Sequence, residues 1–256
     1  MTKKGTKEEL AEFTEKVQKH LAEEKKRSHS DILSDIILGG QDGLVNVLGI
    51  VLGVASATSD HFLVLVAGLV ATFAESISMA AVAYTSKRAE QDHYRSELEQ
   101  EKWEIKHVPD VEEEEIRLIY MRKGFRGKEL ARMVKSITSN EELWLSVMMT
   151  EELGLAPIET QNPVRAAAVV GISAIVGSAL PLLPFLFMPV AGAIPVSFVL
   201  SAIVLFAVGA YKAKITVGKW WKSGLEMAII GMLAAITGWL IGKFLGNWFG
   251  LKNVPG

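Results

Sequence analysis

Hydrophobic and polar positions fall into long blocks along this chain. Runs almost free of charge occupy residues 36–58, 62–84, 164–188, 190–211 and 224–246. Each approaches or exceeds the roughly 20 residues that an α-helix needs to cross about 30 Å of hydrocarbon. Charge gathers in residues 1–31 and 85–162, where apolar residues recur at helical spacing without forming long runs. The pattern predicts an all-α membrane protein with five transmembrane helices and a helical domain inserted between the second and third spans. Its expected divisions are an N-terminal extension (1–31), spans one and two (32–84), the inserted domain (85–162), spans three to five (163–250) and a tail (251–256). The first apolar run follows a polar stretch, is too long for a signal-peptide core and is succeeded at once by another span, so it is read as a retained helix.

Local signals refine the elements. No Gly or Pro lies between Tyr84 and Lys106, so the second span is expected to continue as one helix until "HVPD" stops it. A further helix is expected from Asp110 as N-cap, a third over about 127–137 after a turn bracketed by Gly124 and Gly127, and a fourth from Asn140 to Leu153, ended by Gly154 and Pro157. "PLLPFLFMP" reads as the turn between the third and fourth spans.

Composition narrows the chemistry. Half of the 256 residues are hydrophobic although 22% are charged, which fits charge segregated from membrane spans. The formal net charge of −2 and the lack of a basic patch with interleaved aromatics give no sign of a nucleic-acid partner. Cysteine is absent, which excludes disulfides and thiolate metal sites. Any metal must be held by carboxylate, imidazole, thioether or backbone oxygen. Lysine and arginine concentrate in residues 1–31, 85–162 and "YKAKITVGKWWKS", which five spans place on one face, so the N-terminus and the inserted domain are expected in the cytoplasm. Trp220, Trp221 and Trp248 sit where an interfacial aromatic belt would lie.

Two sets of side chains carry candidate chemistry. Residues three, four, seven or eleven apart share a helix face, which groups Glu90, Glu97, Glu101 and Glu104, with Met79 near the same stripe. Glu112 and Glu115 lie one turn apart in the next helix, and Glu141, Met148 and Glu152 share a stripe with Met149 beside it. Single glutamates of this kind are usually a solvated surface, and one of two adjacent methionines must face a small bundle's interior. Yet "VEEEEI" stacks like charges with little nearby lysine, a cost of tenths of a kcal/mol per pair that a bound cation would remove. Thioethers beside carboxylates suit late first-row metals better than Mg²⁺ or Ca²⁺. Within the spans, Asp35, Asp42 and Asn46 form a polar ladder on the first helix, and Glu75 and Met79 lie one turn apart on the second. An ionisable group at a span's centre costs about 2.5–3.5 kcal/mol by insertion scales, which makes Asp42 a functional candidate. Gly39, Gly40 and Gly43 around it allow a neighbouring helix to approach closely or the backbone to depart from regularity. Glu226 is assigned no transport role, and His61, His93 and His107 read as isolated surface residues.

The stretches "DIILGGQDGLVNVLGIVLGVASA", "ESISMAAVAYTSKRAEQD" with its following glutamate-rich helix, and "MMTEELGL" resemble, in order and spacing, the vacuolar iron transporter family over about residues 30–250. The resemblance implies a five-span homodimer that exports cytosolic Fe²⁺, and often Mn²⁺, by exchange with protons, into a vacuole or out of the cell. It implies metal ligands in the inserted domain at Glu101, Glu104, Glu112, Glu115, Met148 or Met149, and Glu152, and pathway residues at Asp42 and Met79. Where the family commonly carries Gly-Glu-Tyr after the methionine motif, this chain has Val82, Ala83 and Tyr84. Asp42 or Glu75 would then alternate between holding a proton and coordinating metal. The expected bound and transported ion is Fe²⁺, with other divalent transition metals as further candidates. The expected setting is a prokaryotic plasma membrane, or a vacuolar membrane if the source is eukaryotic. The competing reading is a membrane-anchored iron buffer or ferroxidase, although the ExxH pairs of di-iron bundles are missing. A membrane scaffold without transport is a third.

Overall fold

Charge-poor stretches that are rich in glycine and β-branched residues become helices here because hydrocarbon leaves backbone N–H and C=O groups no partner but each other. The computed structural model describes residues 30–155, 162–215 and 218–250. Most of the N-terminal extension, Pro157 and the tail lie outside them. The helices are α1 (Ser30–Thr58), α2 (His61–His107), α3 (Pro109–Arg122), α4 (Gly127–Thr138), α5 (Glu141–Val147), α6 (Pro163–Phe187), α7 (Val190–Ile215) and α8 (Trp220–Trp248), and α5 continues into a wider π-helical turn over Met148–Glu152. Five are long and apolar enough to span a membrane: α1, α2, α6, α7 and α8. No strand occurs among the described residues. The chain divides into two compact units, one comprising residues 1–83 and 164–256, the other residues 84–163.

In the first unit α1 is the central packing element. Its Val47, Leu48, Val51, Leu52 and Ala55 are buried with Val64, Leu182, Phe185, Val190, Ala193 and Ala235 in one apolar cluster. Helices meet here largely through small residues. A Cβ on Gly177 of α6 would lie 2.0 Å from the Gly40 carbonyl oxygen, and one on Gly39 would lie 2.3 Å from that of Val170. On another side of α1, a Cβ on Gly242 of α8 would lie 2.0 Å from the Gly53 carbonyl oxygen. Ser56 adds a hydroxyl that donates to the Trp239 carbonyl at 2.9 Å. Such contacts replace the hydrophobic drive that lipid surroundings do not supply.

Two predicted boundaries change. α6 continues through Pro181 and Pro184 to Phe187, so "PLLPFLFMP" is mostly helix. Proline ends helices in water, but within a membrane bundle a helix continues through it more readily; the Ser197 hydroxyl of α7 ties this segment to its neighbour by donating to the Pro181 carbonyl at 2.8 Å. α3 starts at Pro109 rather than after an Asp110 cap, with Val108 as N-cap and no side-chain cap bond. Proline at the first helical position gives up an N–H that would be orphaned anyway.

In the second unit, Gly124 takes φ 105° in the turn after α3, a conformation that a side chain disfavours. The Asn140 side chain caps α5 by accepting from Leu143 N–H at 3.1 Å, as its position predicts. Ile105, Ile116, Leu130, Val134, Ile137, Trp144 and Met148 form this unit's own core.

Replacing Gly177 or Gly242 by valine is expected to destabilise the chain by about 1–3 kcal/mol or more, because backbone rather than a movable side chain occupies the space. Gly192→Ala is expected to be tolerated, since its nearest neighbour is a methionine methyl at 3.8 Å. Monodisperse yield and thermal unfolding in detergent measure the difference.

Candidate metal centre

Glutamates from three helical segments converge in the second unit. α2 contributes Glu101 near its end, α3 contributes Glu112 in its first turn, and the π-helical turn contributes Glu152. One carboxylate oxygen from each lies within 4.8 Å of the other two. Any point central to that triangle is close enough that shifts of about an ångström or less would bring all three to about 2.0–2.2 Å of one cation. Glu101 and Glu112 are only 4% and 3% exposed, whereas Glu152 reaches solvent. The Oε2 atoms of Glu101 and Glu112 are buried without a hydrogen-bond partner, an arrangement that folding disfavours unless something else binds there.

Electrostatics agree with the geometry. Burial pushes the Glu101 carboxyl up to about 7, and the charges of Glu152, Glu112, Glu104 and Glu115 add to it. Burial likewise pushes Glu112 up to about 7, followed by Glu115, Glu104 and Glu152. Glu152 is also raised, by desolvation against its surroundings and then by Glu115 and Glu104, although part of its side chain meets water. Glu104 and Glu115 therefore border the triad without completing the close triangle. Glu104 accepts from Gln100 Nε2 at 3.0 Å. Five carboxyls with no cation among them in the described residues form a field that a divalent ion would neutralise.

The wider turn carries both methionines. Leu153 N–H donates to the Met148 carbonyl five residues back, at 3.2 Å. Within this turn Met148 and Met149 are both buried, at 0% and 2% exposure, where the sequence required only one of them to face inward. Met148 belongs to the apolar core, and both thioethers share the turn that carries Glu152.

Other members of the predicted stripes do not join. Glu90 pairs with Lys87 at 3.1 Å, and Glu97 lies 3.5 Å from His93, which is thus not isolated. Glu141 is exposed. The "VEEEEI" run is divided: Glu112 and Glu115 turn toward the cluster, while Glu113 and Glu114 bind Arg117 at 3.0 and 2.9 Å. Arginine, not lysine, balances the outer half of that run. His107 stacks on Trp103 with ring centroids 4.4 Å apart.

A second polar group lies in the first unit. Asn46 Nδ2 on α1 donates to Glu75 Oε1 on α2 at 3.1 Å, and the Asp42 and Glu75 carboxyls approach closely enough to share a hydrogen bond. Sequence spacing placed these residues on two separate helices without revealing the link between them. Met79 is half-buried one turn from Glu75, and Asp35 is half-buried two turns from Asp42. Ser178 went unnoticed in the sequence: its hydroxyl is fully buried without a hydrogen-bond partner beside Gly43. A serine in an apolar run carries no signal of that kind.

A family model described as the VIT family matches residues 33–243. The chain is 34% identical over 233 residues to vacuolar iron transporter 2 of Oryza sativa subsp. japonica, covering 90% of this chain and 95% of that one. It is 32% identical over 221 residues to vacuolar iron transporter 1 of Arabidopsis thaliana, covering 86% and 88%. It is 31% identical over 249 residues to the vacuolar iron transporter of Plasmodium falciparum (isolate 3D7), covering 93% and 90%.

A carboxyl raised from an ordinary value near 4.5 to about 7 holds its proton more tightly in the folded chain than in the unfolded one. Its stabilisation is complete below about 4.5 and is lost as pH rises through about 7. Metal-free protein is therefore expected to melt at lower temperature at pH 8 than at pH 5, and added Fe²⁺ or Mn²⁺ should reverse most of the loss. In the double variant Glu101→Gln, Glu112→Gln this part of the pH slope should vanish together with the metal response. A slope unchanged in that variant would place its origin elsewhere.

Proposed function

Because the chain belongs to the VIT family, we propose that it transports Fe²⁺ across a membrane, out of the cytoplasm, in exchange for protons. The observation that carries this reading is the Asp42–Asn46–Glu75 contact with Met79 one turn away, built inside helices long enough to span a bilayer. Carboxylates at such depth are costly unless a pathway uses them. The named relatives are transporters, and on this reading the chain is a transporter rather than an enzyme.

The Asp42 and Glu75 carboxyls share a hydrogen bond only while one of them holds a proton, and a divalent ion needs them ionised. Metal arrival thus expels the proton, and protonation on the far side releases the metal. Asn46 orients Glu75 through its amide, and the Met79 thioether favours a late first-row ion over Mg²⁺ or Ca²⁺. Asp35 forms an outer rung of the ladder. Asn46 is exposed and Asp42, Glu75 and Met79 are only half-buried in one chain, which supports a homodimer in which a second copy covers this face. Glu101, Glu112 and Glu152, with Glu104, Glu115, Met148 and Met149 around them, capture the ion from the cytosol. Residues 85–162 and the N-terminus lie in the cytoplasm on this reading, because lysine and arginine concentrate there. The membrane is a prokaryotic plasma membrane, or a vacuolar one if the source is eukaryotic, and Mn²⁺ and other first-row ions are secondary substrates.

A membrane-anchored buffer would account for the glutamate triad. It would leave the carboxyl pair within the spans without a purpose.

In proteoliposomes an imposed pH gradient should accelerate Fe²⁺ movement in the direction opposite to proton flow. Asp42→Ala is expected to slow the initial rate by at least about tenfold. Binding without movement would favour the buffer, and movement indifferent to both the gradient and Asp42→Ala would refute the exchange mechanism.

A further inference from the structure

Beside α1, on the flank formed with α6 and α7, the first unit has a groove of about 560 Å³ whose walls are almost wholly aliphatic. Ile36, Ile172, Val176, Val204 and Val208 are among its lining residues, and Gly40 and Gly177 line it where α1 and α6 touch. Ile36, Ile172 and Val176 are 45%, 62% and 60% exposed, so the groove opens sideways, toward hydrocarbon in a helix set that spans a bilayer. At its end stands Tyr211, which also lines a second recess of about 640 Å³ formed with Ala210, Ala213, Lys214, Gly218 and Trp220. The apolar groove and the lysine-lined recess therefore adjoin at one side chain.

The charge around that recess has one sign. The segment from Tyr211 to Ser223 holds Lys212, Lys214, Lys219 and Lys222 and no acidic residue. Lys212 and Lys214 lie in the last turn of α7, and Lys214 is solvent-exposed. Trp220 and Trp221 stand exposed at the start of α8, with the Lys222 ammonium 5.6 Å from the Trp221 ring centroid. Tryptophan, tyrosine and lysine at one level are the groups that mark the boundary between hydrocarbon and headgroups. Basic pockets between membrane helices at that level select anionic headgroups.

We propose that the groove between α1, α6 and α7 and the adjoining Lys214 recess form a binding site for an anionic phospholipid. One acyl chain fills the groove, Tyr211 sits at the glycerol level, and the phosphate meets Lys214. A lipid in this position packs against α1 on the flank where Gly40 meets α6. The inference depends on the membrane setting and not on which metal is carried.

The full-length protein in mixed phosphatidylglycerol and phosphatidylcholine nanodiscs, released and weighed by native mass spectrometry, tests the site. Phosphatidylglycerol is expected to be retained over phosphatidylcholine by about fivefold, the increment of one lysine near a surface. Lys214→Gln should reduce that preference toward unity. Ala207→Trp, which adds a ring at the groove's edge, should lower retention of both lipids while thermal unfolding of the protein stays unchanged. Equal retention of the two lipids by the unaltered protein, a preference untouched by Lys214→Gln, or total retention untouched by Ala207→Trp would overturn the proposal.

Discussion

Backbone-to-backbone contact around α1 is the constraint on which the membrane unit depends. Gly39 meets Val170 of α6, Gly177 of α6 meets Gly40, and Gly242 of α8 meets Gly53, each so closely that Gly39, Gly177 and Gly242 have no room for a Cβ. Contacts this tight fix the rotation of a helix about its axis as well as its distance from its neighbours. Once that rotation is set, Asp42 and Asn46 have a fixed direction, and it brings them to Glu75 of α2. The irregular backbone that a glycine cluster also permits is not what these residues are used for, since α1 is helical from Ser30 to Thr58.

The other unit is organised on a different footing. Its acidic cluster rests on an apolar core that includes Ile105, Ile116 and Met148, each within a few residues of a converging glutamate. Those core residues hold α2, α3 and the π-helical turn together and thereby force like charges into proximity. Folding alone does not favour that outcome, which is why Glu101 and Glu112 retain protons up to about 7. The surrounding charges are handled differently: Glu113 and Glu114 bind Arg117, and Glu151 binds Lys123. Outer glutamates have cations from the protein itself, and the inner ones have none among the described residues. That division separates a candidate site from an acidic surface better than a count of glutamates does.

The five spans were legible because hydrophobic length is a one-dimensional property. Helix faces were legible too, yet a face is not a meeting point. Periodicity put Glu90 and Glu97 on the stripe of Glu101, and only the positions of α3 and the π-helical turn distinguish the member that has acidic neighbours from those paired along their own helix. The widening at Met148 could not be read from the sequence because no residue type encodes a π-turn, and two adjacent buried methionines are equally compatible with a regular helix. Pro181 and Pro184 misled for a solvent reason: their cost as helix breakers is reckoned for water, and α6 lies in a membrane bundle where Ser197 of α7 ties the proline segment to its neighbour.

The same contacts bear on Ala83, where the family resemblance implies a glutamate. Glu75, Met79 and Ala83 recur every fourth residue along α2, so a glutamate at position 83 would project from the face that already carries the first two. This chain instead concentrates its acid two turns away, where Glu75 has both Asn46 and Asp42 as partners. A carboxyl at Ala83 would have to find a new partner at its own level. The carboxyl at Glu75 has a second carboxyl close by and an amide that orients it, so the polar contact of this unit sits at the level of Asn46 rather than of Ala83.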